Sequence, residues 1–521
     1  MANTCISAKF SYEKAREFVR ELYSTDPEKT VKYIFIGNSI PYQNSDSEIP
    51  DIDDTIKDEK SVWDLMFAAK KVTGNDVEMI LPRYNWESGT IYKQYDDIVD
   101  VTELVTHDVA NNYAPMFVMN SVGDVYKCLY NSDNSPSLNE PTGDYTSSDG
   151  FISTMDVYGN VNYIWKYMYN VKSTNKFLSD DYMPVPSLYT QLEYSSSEQN
   201  LYDGCIASIV VTNHGSGYIN SNTSIIAPYE SGTFNLTIED ISKANINMFV
   251  TGTGIIPSTY ITDINSNIIT LSLPTSGNGS FGTPIYFNTG VFIEGDGDQV
   301  DATAVLDNGS IDRIYVTNIG SGYNFANVSI HGTGTGATAR AIISPKFGHG
   351  FNPARELMSK DVLITVQYGE VDSTEGGKLS VVTEIRQYGL LSNPHLYGEI
   401  IPSKDADCPA IAVQTLNITL LSGQDFSIGE FVYCGLSPET STFSGIVHAI
   451  NQDDNIVRLI NTRGIPSIGG VLRGTSVTRI ISSVDYQDFQ PYSGEILYVK
   501  NVSPITRFDG QSEIINLEIN F

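Results

Sequence analysis

Apolar residues fall at helical spacing early in the chain. Ala15, Phe18, Val19 and Leu22 share one face of a helix predicted over 11–22. Ser11 is placed to cap it, although Lys14 three residues later leaves the capping box incomplete. The period then shortens. Val31-Lys32-Tyr33-Ile34-Phe35-Ile36-Gly37 predicts a strand that stops at its glycine, and 51–59 an acidic, solvated loop. The spacing over 62–71 predicts a second helix, and alternation predicts strands at 116–119, 125–130 and 163–169.

From about 205 to 344 the texture is all-β, with short alternating runs between Gly, Ser, Thr and Asn turns. It carries a near-repeat. Val211-Thr212-Asn213-His214-Gly215-Ser216-Gly217-Tyr218 returns as Val316-Thr317-Asn318-Ile319-Gly320-Ser321-Gly322-Tyr323. In register around it, Ile206 and Ile209 align with Ile311 and Ile314, and Ser224-Ile225 with Ser329-Ile330. Each copy predicts a strand (206–211 and 311–316) followed by a Gly-Ser-Gly-Tyr turn, where glycine takes positive φ without strain. Ala302-Thr303-Ala304-Val305 shares its small-residue alternation with 337–341.

A third texture begins at Phe347, with strands or short helices at 361–366 and 379–386. Runs at 426–433 and 455–461 read as strands of a small barrel within a second insert-like stretch, about 411–483. Strands at 494–499 and 512–521 close the sequence. The fold class expected is mainly β with peripheral helices, a layered β-sandwich core interrupted by all-β modules. The expected parts are 1–200 (core), 201–345 (module with the duplicated unit), 346–404 (core), 405–485 (barrel-like module) and 486–521 (C-terminal core strands).

Bulk properties narrow the function. The 521 residues carry 31 Lys plus Arg against 62 Asp plus Glu, a formal charge of −31, which repels nucleic acid and anionic membranes. Neither is expected as a partner, and no apolar run reaches the ~18–20 residues of a membrane helix. Residues 1–10 show no signal-peptide pattern. Cys5, Cys128, Cys205, Cys408 and Cys434 are dispersed and odd in number, so neither a disulfide framework nor a zinc site is expected, and a reducing compartment is. The 32 Tyr against 21 Phe suggest aromatics with one edge at a surface or interface.

Candidate chemistry is sparse. Gly332-Thr333-Gly334-Thr335-Gly336-Ala337 echoes a dinucleotide fingerprint, but no helix-forming sequence follows it. Glu294, Asp296, Asp298 and Asp301 on a glycine loop have the ligand type for calcium without EF-hand spacing. The same holds for Asp51, Asp53, Asp54 and Asp58, and a solvated turn is the simpler reading of both. His107, His214, His331, His349, His395 and His448 form no metal or protease motif. His214 faces Ile319 in the other copy, which argues against a shared catalytic role. His349, inside Gly348-His349-Gly350-Phe351-Asn352-Pro353, stands out as a histidine in a tight turn. No catalytic, cofactor-binding or metal site is assigned, and the chain is not expected to be an enzyme.

With the two β-rich stretches set aside, the remainder resembles a known family. Tyr33-Ile34-Phe35-Ile36-Gly37-Asn38-Ser39-Ile40-Pro41-Tyr42 is similar to an early strand with its Pro-aromatic turn. Leu81-Pro82-Arg83-Tyr84-Asn85-Trp86, with Tyr92 and Tyr95-Asp96, is similar to a Pro-Arg-x-x-Trp segment. Val125-Tyr126-Lys127-Cys128-Leu129, Glu140-Pro141-Thr142-Gly143 and Tyr163-Ile164-Trp165-Lys166-Tyr167-Met168 follow in order. So do Ile385-Arg386-Gln387 with Ser392-Asn393-Pro394, Ser493-Gly494-Glu495-Ile496-Leu497-Tyr498, and Glu513-Ile514-Ile515-Asn516-Leu517. Together they resemble the baseplate wedge subunit of contractile-tailed, T-even-like bacteriophages, gene product eight type, over about half of the chain.

The resemblance implies a structural virion protein of the tail baseplate, assembled in the host cytoplasm. It implies a homodimer that contacts other wedge proteins and takes part in contraction-linked rearrangement. The Gly/Thr/Asn-rich modules leave open a receptor- or glycan-binding tail protein.

Overall fold

The computed structural model describes residues 7–23, 30–143, 150–186, 203–368, 383–399, 411–413, 416–421, 426–508 and 511–521. Cys5, Cys408 and the start of the 379–386 element lie outside them. The fold is mainly β, with few helices among the described residues. Two compact units divide it: residues 81–359 with 1–9, and residues 10–80 with 360–521. The divisions at 80/81 and 359/360 fall inside stretches expected to be core. Among the described residues no helix is long and apolar enough to cross a membrane.

In the second unit, Lys32–Gly37 lies between Met66–Lys71 and Thr383–Ser392, and Glu495–Arg507 extends that sheet. A second sheet sets Asp361–Tyr368 between Val77–Pro82 and Glu513–Asn520. The buried Tyr368 hydroxyl donates to the Ile34 carbonyl at 2.6 Å, tying one sheet to the other. Tyr33, Phe35, Trp63, Met66, Leu391 and Phe489 form one core here. Residues 416–485 close a six-stranded barrel around Ile418, Val432, Phe443, Val457, Leu459 and Leu472.

The helical expectations need correction. The first helix runs Ala8–Tyr23, so Ser11 lies inside it and caps nothing, while Ala15, Val19 and Leu22 are buried as expected. The second is Ile56–Leu65, capped by Thr55, whose side chain accepts from the Asp58 N–H. It therefore begins within the predicted acidic loop. Met66–Lys71 is a strand, with Met66 to Ala69 fully buried between two neighbouring strands. A short apolar run buried on both faces has no period to separate strand from helix.

In the first unit, Asp124–Tyr130 and Val161–Asn170 pair centrally in a sheet with Phe117–Met119 and Phe151–Met155. Tyr92, Tyr126, Cys128, Tyr163 and Trp165 pack on it.

The duplicated module of this unit is larger than its sequence signature. Each repeat supplies three strands: Ile206–Ser216, Gly290–Gly295 and Asp298–Asp307, then Ser310–Ser321, Ala326–His331 and Thr335–Ile343. The first strand of each pairs with the third strand of the other, as Ser216 with Thr335 and Ser321 with Asp298. The middle strands pair with each other, Phe292 opposite Ser329. Hence Phe292-Ile293, not Ser224-Ile225, are the counterparts of Ser329-Ile330. Ser221–Ser224 instead pairs with Pro284–Asn288 in a nested β subdomain with its own core, including Leu236, Val250, Ile269 and Phe287.

The strands also run further than expected. They continue through Gly215-Ser216 and Gly320-Ser321, and the chain turns only at the second glycine. All four motif glycines have positive φ, as the sequence requires. Asn213 and Asn318 accept from the N–H groups of Gly215 and Gly320 in the same way.

Candidate functional site

The turn that carries His349 meets the strand that carries Lys127 in a sealed polar cluster of the first unit. Lys127 lies mid-strand in Asp124–Tyr130, all seven of whose residues are buried. Its Nζ is 2.7 Å from Glu356 Oε2, with side-chain exposures of 0% and 4%. The same Nζ is 3.1 Å from His349 Nδ1 and 4.1 Å from the centroid of the Tyr95 ring. Tyr95 and His349 meet edge to face at 5.0 Å.

Local structure fixes each member. Gly348 and Gly350 take positive φ on either side of His349. Glu356 ends the short helix Pro353–Glu356, which Asn352 caps by accepting from the Arg355 N–H. Glu356 Oε1 in turn accepts from the Asn352 N–H at 3.2 Å. The Tyr95 N–H donates to the Cys128 carbonyl, holding the ring beside the lysine strand.

Burial governs the electrostatics. Desolvation draws the Lys127 ammonium below the ordinary lysine range, with the Glu356 charge opposing it. Desolvation, then the charges of Lys127 and Lys166, hold the His349 imidazole well below the usual histidine range. An ammonium only donates, so His349 Nδ1 accepts and the ring proton is assigned to Nε2. The arrangement sets an amine, a carboxyl and a neutral base within hydrogen-bond reach.

The acidic glycine loop does something else. Asp296 accepts from the N–H groups of Asn324 and Phe325 and from the Asn324 side chain, at 2.8–3.2 Å. Those bonds hold its carboxyl below the usual range. Thr333 has the equivalent place in the other repeat: its hydroxyl accepts from the Ile219 N–H and donates to the Gly217 carbonyl. Tyr323 packs on Gly295 and Gly297, and Tyr218 on Gly332 and Gly334, where a Cβ would overlap the ring. Gly332 and Gly334 of the dinucleotide-like run are thus the seat of one tyrosine, and the acidic-loop glycines Gly295 and Gly297 the seat of the other. Among the described residues no group of three or more His, Cys, Asp or Glu is placed to hold a metal.

Asp51, Asp53 and Asp54 are exposed, while Asp58, in the first turn of the helix that Thr55 caps, accepts from the Thr55 hydroxyl. The His214 ring bonds the Ile311 carbonyl at 2.6 Å. His448 is buried, stacked on Phe67 at 4.4 Å with Nδ1 2.8 Å from Ser39 Oγ. Sequence reasoning singled out His349 but passed over Lys127 and Glu356. A lysine inside the apolar run Val125–Leu129 was the available signal.

No protein-family model matches the sequence, and no curated protein matches it.

Proposed function

We propose that this protein is a structural subunit of the baseplate wedge of a contractile phage tail. It works as a dimer that links neighbouring wedge proteins and shifts with them on contraction. One observation carries the reading: segments quoted for the family resemblance, remote in sequence, are hydrogen-bonded neighbours. In the second unit Gly37 pairs with Gln387 and Ser392 with Glu495. In the first, Cys128 pairs with Trp165. The resemblance therefore tracks two sheet frameworks, and local alternation alone would not place its pieces side by side.

The geometry of the β-rich modules fits with insertion into such frameworks. Ile206 pairs with Ile343, and the backbones of Cys205 and Ser344 bond at 2.9 Å, so the module enters and leaves at one point. Antibody raised against the protein should label tails at the baseplate in negative stain. Label on the capsid or along the fibres would overturn the reading, and binding of host polysaccharide by the 201–345 module would favour a receptor-binding role.

A further inference from the structure

We propose that Lys127 and Glu356 condense within the folded protein to form an isopeptide bond between Nζ and Cδ. The inference is independent of the baseplate reading.

The geometry is that of a reacting pair. The nucleophilic nitrogen is 2.7 Å from one carboxyl oxygen. The other oxygen accepts from the Asn352 N–H, a donor placed to stabilise negative charge developing there. His349 Nδ1, 3.1 Å from the nitrogen, is the base. The Tyr95 ring covers the amine, and the lysine side chain is wholly shielded from water.

In the first step the ammonium passes a proton to Glu356 Oε2, leaving a neutral amine beside a neutral acid. Burial favours loss of the lysine proton, because the ammonium is poorly solvated there. The amine then attacks Cδ, and negative charge collects on Oε1. His349 takes a proton from the attacking nitrogen and returns it to Oε2. The Cδ–Oε2 bond breaks, one water leaves, and the imidazole is regenerated. No oxidant, metal or second substrate enters the balance. Fixed proximity offsets the unfavourable equilibrium that condensation has in bulk water, and the sealed site disfavours return of the water.

The linkage would join positions 229 residues apart, on either side of the repeat module. Force applied to the module would then be borne by a covalent loop.

The test is intact-mass spectrometry of the full chain, kept folded at neutral pH for several days. The expected mass is that of the sequence less one water, with a branched peptide joining Lys127 to Glu356 after proteolysis. The Lys127→Arg protein should show the full sequence mass under the same treatment, and His349→Phe should slow the loss of water at least tenfold. A wild-type mass equal to the sequence would overturn the proposal. So would a water loss mapped to any other residues.

Discussion

Two buried cations hold the two units by different means. Lys127 is sealed together with its carboxylate, at 0% and 4% exposure. Arg386 is equally buried at 1%, but its partners Asp46 and Glu384 keep 34% and 40% of their side-chain surface in water. Arg386 grips Asp46 through Nε and Nη2 at 2.9 and 2.8 Å. The lysine site thus confines two charges that depend on each other, whereas the arginine site lets water share the load. Removing one partner should expose that difference.

The largest effect is expected at the sealed site. Measured against freshly folded wild type, before the linkage forms, Lys127→Met leaves Glu356 buried without its cation and should cost ~3–5 kcal/mol in urea unfolding. Replacing both residues (Lys127→Met with Glu356→Leu) should restore most of the loss, because no buried charge then remains unpaired. A double variant no more stable than the single one would show that the lysine acts by packing alone.

Little of this contrast was legible in the sequence. Local alternation identified the strand that carries Lys127, the stretch that carries Arg386 read as strand or short helix, and flanking glycines marked the His349 turn. Nothing local linked Lys127 to Glu356, 229 positions away, or Arg386 to Asp46, 340 positions away. Such pairings belong to topology. The repeat shows the same boundary. Its strand and turn signature was readable, yet its middle strand was misaligned, because the nested subdomain separates Tyr218 from Gly290 in one copy and two residues separate Tyr323 from Ala326 in the other. The 66–71 strand failed for another reason: burial on both faces erased its period.

The second unit also has a sealed base, His448, and it is neutral. Desolvation, then the charge of Arg458, depress it from 6.5 to about 3. The unfolded chain therefore takes up this proton first as the pH falls. Stability is complete above pH 6.5 and is lost from there towards pH 3. Between pH 6.5 and 4.5 this one group should remove about 2–3 kcal/mol. His448→Gln should flatten that part of the profile, measured as melting temperature against pH. An unchanged slope would assign the acid sensitivity to other groups.

Arg386→Met should cost less than the lysine change, ~1–2 kcal/mol, since Asp46 and Glu384 can turn to water when the guanidinium is gone. Comparing the two single variants under one denaturant tests the contrast directly. Equal losses would mean that exposure of the partner carboxylates does not soften the site.

The smallest effect is expected where the cation itself is open. Arg463 clasps Asp64 with both terminal nitrogens, and Tyr492 adds a hydroxyl donated to the same carboxylate at 2.6 Å. Its geometry is as good as that of Arg386, but the Arg463 side chain is 56% exposed. Water and salt therefore compete with the pair in the folded state. Arg463→Ala should cost ~0.5 kcal/mol, falling further in high salt, whereas the Lys127→Met loss should be insensitive to salt. If the arginine variant lost as much as the lysine one, hydrogen-bond geometry rather than burial would set the strength of these contacts, and the ranking from sealed to open would fail.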